Sequence, residues 1–198
     1  MPALSQIYSV LAAGAVVSVN AAMGPAFSTG PVADGSWIRE ATSTLILPET
    51  PRGTSGISSL WVGMGTSNGD LIQSIADNWE SSDWDIFAYT LVKTGDKFDD
   101  ASGNYTQTVS VNDEVVSTLS TSSGEAQGWG SAVECAENNC GTMPAHSWEE
   151  TKIILDSADP NYINTNYKGE GVTGDMSTSD GGKTWVVTTI DIPEFTFA

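Results

Sequence analysis

Apolar residues in this chain come in short runs, and Gly, Pro, Asn, Asp and Ser break them every few residues. The runs at 42–47, 60–64, 71–76, 84–92, 107–111, 114–119, 129–135, 149–155, 184–192 and 195–197 have strand length and strand composition. In 84–92, Trp84, Ile86, Ala88 and Thr90 alternate with Asp85, Phe87, Tyr89 and Leu91. Both faces carry bulky groups, so a central strand covered on both sides is expected. Asn112-Asp113 between two runs reads as a hairpin turn. Residues 161–183, with several Gly, read as a long irregular connection. The body of the chain has no long Ala/Leu/Glu/Lys stretch, so a helix bundle is disfavoured and an all-β sandwich is expected.

The N-terminal end differs. Ile7 to Val19 is an apolar run too short to span a bilayer, and Val19-Asn20-Ala21 supplies small residues for cleavage. Residues 1–21 are therefore read as a secretory signal, although the first basic residue is Arg39. Residues 22–40, rich in Gly, Pro and Ala, are read as a loose lead-in, and 41–198 as one domain. An extracellular monomer is expected.

Charge narrows the partners. Seven Lys+Arg face 25 Asp+Glu, a formal net charge of −18. So acidic a surface repels nucleic acid and anionic membrane, and both are set aside. Partial protonation in acid would relieve the self-repulsion, which suits an acid-tolerant secreted protein. Cys135 and Cys140, the only cysteines, are expected to pair across a small Asn-rich loop. Asn104-Tyr105-Thr106 is the single glycosylation sequon. With two Cys and one His, no zinc site is expected, and no cofactor motif is present. Asp156, Asp159 and the run 175–183 offer oxygen ligands but lack the spacing of a calcium loop, so turn chemistry is the better reading.

The candidate chemistry centres on residues 60–92. Trp61-Val62-Gly63 is followed, after a short loop, by Leu71-Ile72-Gln73, and an aromatic run follows at 84–89. This order resembles the first motif of the eqolisins, the glutamic peptidases. The resemblance covers residues 41–92. It implies a concanavalin-like, jelly-roll-type double-sheet sandwich, an acid-active secreted enzyme, and Gln73 as the amide that stabilises an oxyanion. The chemistry also needs a carboxylate to take a proton from water. The family sets that glutamate directly before a tryptophan, whereas here Ser147 precedes Trp148 and Glu149 and Glu150 follow it. Glu134, Glu149 and Glu150 are the candidates. Simple alternation sends Glu149 and Glu150 to opposite faces, with Glu149 on the side of Thr151, Ile153 and Leu155.

A competing reading rests on the seven tryptophans. Trp79, Trp84, Trp129 and Trp148 are candidates to line a groove, with Gln73, Trp84 and Trp148 at its border, while Trp61 and Trp185 are read as core. His146, the only histidine, is a candidate proton shuttle or ligand contact beside Trp148. The expected ligand is thus a polypeptide, a carbohydrate or a small organic molecule. The function classes are an acid–base enzyme, a carbohydrate-binding module, and a tailoring enzyme performing a cyclisation or dehydration.

Overall fold

The computed structural model describes residues 21–51, 56–78, 83–91, 104–136 and 139–197, and the segment read as a secretory signal lies outside them but for its last residue. The first half of the described chain forms strands β1 (Ala22–Met23), β2 (Phe27–Thr29), β3 (Ile38–Ile46), β4 (Ser58–Thr66), β5 (Leu71–Asp77), β6 (Asp85–Leu91), β7 (Tyr105–Val111) and β8 (Glu114–Thr121). The second half adds β9 (Ala126–Cys135), β10 (Thr142–Met143), β11 (His146–Leu155), β12 (Tyr167–Lys168), β13 (Met176–Ser177), β14 (Thr184–Ile192) and β15 (Phe195–Thr196), with one 3-10 turn at Tyr162–Thr165. The main ladder runs β13-β14-β11-β3-β9-β4-β5-β6, and β1, β2 and β12 extend it beside β9. All pairings are antiparallel. The chain is an all-β sandwich. No helix among the described residues is long and apolar enough to cross a membrane.

Strand β3 joins the two halves. It pairs with β11 over most of its length, and its ladder pairing with β9 is Ile38 opposite Ala126. Tyr105 reinforces that junction: its hydroxyl donates to the Ile38 carbonyl at 2.7 Å and accepts from the Ala126 N–H at 3.0 Å. Between the halves lies the main core, which includes Phe27, Leu60, Trp129, Val133, Trp148, Ile153, Trp185 and Ile190. Removing this much apolar and aromatic surface from water is the chief favourable term of the fold.

Three expectations are corrected here. Residues 22–40 are no loose lead-in: β1 and β2 pair with β9, and Phe27 and Ile38 are fully buried. Strand β6 ends the main ladder and is not central. It carries bulky groups on both sides because the β7–β8 hairpin packs beside it, with Gln107 donating to the Thr90 hydroxyl at 2.8 Å and Ala88 N–H to the Ser117 hydroxyl at 3.0 Å. The 161–183 connection is partly ordered by β12, β13 and the 3-10 turn. The hairpin turn was legible: Asn112 and Asp113 both have positive φ, 49° and 67°, as a type I′ turn requires.

Candidate functional site

Ladder register decides which residues share a surface, because directly opposed residues in antiparallel strands project to the same side. Gln73 opposes Tyr89 on one side and Gly63 on the other. Gly63 in turn opposes Gly130, Gly130 opposes Ser28, and Ser28 opposes Tyr167. One row thus reads Tyr89, Gln73, Gly63, Gly130, Ser28, Tyr167 across six strands, about 24 Å from end to end at the usual strand spacing. This row lies on the face turned away from the main core. The core-facing residues of the same strands are the alternate ones, Leu60, Trp129 and Val133 among them.

Two glycines form the floor of that row. Their missing side chains leave room into which the flanking residues lean. A Cβ on Gly63 would sit 3.2 Å from the Gln73 Cγ and 2.7 Å from the Ile72 carbonyl oxygen. A Cβ on Gly130 would sit 3.1 Å from the Ser28 Cβ. Gln73 and Ser28 thus each lie close against one of the two bare glycines. Both are buried, at 6% and 7% exposure, yet neither side chain is hydrogen-bonded to another described residue. The tyrosines that close the row are open to solvent, Tyr89 at 44% and Tyr167 at 37%. Trp61 packs with Leu71 and Ala132 beside the floor, with Ile75 and Leu91 against them. Of the two tryptophans read as core, Trp185 lies in the main core and Trp61 is buried in this separate outer cluster.

The three candidate carboxylates separate cleanly. Glu134 opposes Ser59, so it shares the face of Gln73. The Trp61 indole N–H donates to its carboxylate at 2.8 Å. Glu149 and Glu150 belong to the other half of the sandwich. A bulge in β11, with Glu150 at φ +51°, breaks the strict alternation expected from the sequence. Glu149 consequently opposes Thr44 and Thr189 on the solvent side, while Trp148, Thr151, Ile153 and Leu155 all point inward. Glu150 is the exposed bulge residue. Neither faces Gln73.

Glu134 shares the face but not the centre. From Gln73 it lies two strands across and four residues along, which puts the Cα atoms about 17 Å apart. One water bridging the two groups needs a far shorter span. The β9 residues nearest to Gln73 across the floor are Gly128, Gly130 and Ala132, none of which carries a titratable group.

The tryptophans also sort by location. Trp129 and Trp148 are core residues, at 2% and 4% exposure, and do not line a groove. Trp84 packs against the same core and donates its indole N–H to the Pro48 carbonyl at 2.8 Å. Trp79 lies outside the described residues. The groove expected between Gln73, Trp84 and Trp148 is not formed, because a sheet stands between the first and the last. His146 is the first residue of β11 and is buried, with its Nδ1 3.1 Å from the Pro144 carbonyl. Burial pulls its pKa below the usual histidine value, and the bond to Pro144 opposes that shift.

Cys135 and Cys140 form a disulfide. Asn104 is exposed just ahead of β7. Among the described residues no group of three His, Cys, Asp or Glu is arranged to hold a metal ion. Asp180 instead serves as a turn acceptor, taking N–H bonds from Lys183 and Thr184 and a hydroxyl bond from Thr178. These bonds pull its carboxyl down to about 2, the bonds from Thr184 contributing most.

Sequence reasoning missed Ser28, Gly63, Gly130, Tyr89 and Tyr167 as members of one row. Short strands such as β2 and β12 carry almost no periodic signal. No family model, no curated protein and no solved structure matches this chain.

Proposed function

We propose that this protein is a secreted binding module whose ligand is a carbohydrate chain, laid across the strands over Gly63 and Gly130. The observation that carries this reading is the row itself: an amide and a hydroxyl, neither bonded to another described residue, flank two glycines between two exposed tyrosines. Sugar rings present an apolar face that stacks on an aromatic ring and hydroxyl edges that bond amides and hydroxyls. A neutral sugar also avoids repulsion by a net charge of −18. The disulfide and the exposed sequon asparagine are consistent with export, with glycosylation at Asn104 and with a monomeric extracellular protein. The test is titration calorimetry against a panel of neutral oligosaccharides. Wild type should bind at least one class, and Gln73→Ala should weaken that binding by about tenfold or more. Equal binding by both proteins would remove the row from the ligand site.

A second reading keeps an acid–base enzyme related to the eqolisins. It is favoured by one observation, the Trp61 indole holding Glu134 on the face of Gln73. In that reading Glu134 moves the proton and Gln73 anchors the ligand at a distance. Casein digestion in acid, compared with Glu134→Gln, tests it, and no digestion by wild type removes the peptidase.

A further inference from the structure

We infer that the core holds one buried hydroxyl group between His146 and Trp148, carried by an internal water or by a small alcohol. Both side chains project inward from β11, two residues apart on the same face. They are 8% and 4% exposed, and the His146 Nε2 and Trp148 Nε1 atoms are fully buried without a hydrogen-bond partner among the described residues. Neighbouring strands put Ile192 opposite His146 and Leu45 and Ile190 opposite Trp148, so these positions supply no polar partner.

The two unmet atoms are complementary. The Pro144 carbonyl can only accept, so the His146 Nδ1 that contacts it carries the hydrogen. In the neutral ring Nε2 then offers a lone pair, while the Trp148 indole offers an N–H. The two do not bond each other. A hydroxyl meets both needs at once, accepting from Trp148 and donating to His146. A carbonyl or ether oxygen would satisfy Trp148 alone. Two partners lie at the lower limit of what an internal water requires. The site is separate from the row at Gln73, which lies beyond the intervening sheet and faces outward.

An atomic-resolution crystal structure of the protein, together with 15N NMR of the His146 ring, tests the assignment. The expected result is a density peak within hydrogen-bond reach of both nitrogens and a ring with hydrogen on Nδ1 and a bonded acceptor at Nε2. A small alcohol would be recovered on denaturation, whereas a water would not; either occupant supports the assignment. An empty space, a direct bond between the two rings, or hydrogen on Nε2 overturns it. Stability gives an independent readout. Trp148→Phe and His146→Leu each leave the hydroxyl one partner short and should lower Tm by about 3–6 °C. The double variant should lose clearly less than the sum, since no polar group is then stranded. Additive losses would also overturn it.

Discussion

The two halves of the sandwich treat their outward faces differently. In β3 the burial alternates almost residue by residue, and in β14 the outward positions Val186 and Thr188 are open, as expected when one face meets the core and the other meets water. In β4, β5 and β9 burial is nearly continuous. Their outward side carries Trp61, Leu71, Gln73 and Ala132, all buried, and the glycines at 63 and 130. That contrast locates the candidate site on one half and leaves Glu149 and Glu150 on the plain face of the other.

The largest expected effect tests which tryptophans belong to the core. Trp129→Ala should cost about 3–5 kcal/mol in urea unfolding, since it empties a large volume between the halves. A loss below about 1 kcal/mol would mean that Trp129 is a surface stacking residue, and the contrast would fail. Gly63→Ala comes next. Its Cβ would meet the Ile72 carbonyl, which is backbone and cannot swing aside, so a loss of about 1–3 kcal/mol is expected, with weaker ligand binding. Normal stability and binding would show that the floor is not tight.

The next test uses pH. His146 has a lowered pKa because burial disfavours its charged form. Above the unfolded value of about 6.5 both states are neutral and nothing is lost. As pH falls from there, the unfolded chain takes up the proton first, and stability declines until the folded pKa is passed. His146→Leu should flatten that part of the urea–pH profile, and an unchanged slope would show that another group titrates. Asp180 behaves with the opposite timing. Its folded pKa is depressed to about 2, so its contribution is present above the ordinary aspartate value of 3.8 and is lost as pH falls through about 2. Asp180→Asn should therefore matter at neutral pH and become silent in strong acid, as read by thermal melts. The smallest effect is expected from Glu149→Gln, which should leave ligand binding and stability unchanged within error. A clear loss of binding there would move the site to the other half.

Strand content was legible because long runs such as 184–192 announce themselves by length and by β-branched residues. The Asn112-Asp113 turn was legible because its two residue types tolerate positive φ. Gln73 stands out in the sequence as a polar residue in an apolar strand, and the ladder puts it on the face turned away from the main core. What stayed hidden was long-range register. No local pattern tells that Ser28 lies across from Gly130, roughly a hundred residues later in the chain. The bulge at Glu150 was equally silent, since a non-glycine residue at positive φ leaves no compositional trace. That one extra residue reversed the side assigned to Glu149. The tryptophans misled because indole serves both cores and ligand surfaces, and only burial separates the two.

The one ladder pair between β3 and β9 has a mechanical meaning. Among the described residues, Ile38 opposite Ala126 is the rung stitching two ladders, and the Tyr105 phenol is the knot that closes the stitch. Cutting it with Tyr105→Phe would strand a carbonyl and an amide where the halves meet. The molecule should then come apart in two steps, with hydrogen exchange at Ala126 accelerating well before exchange in β11.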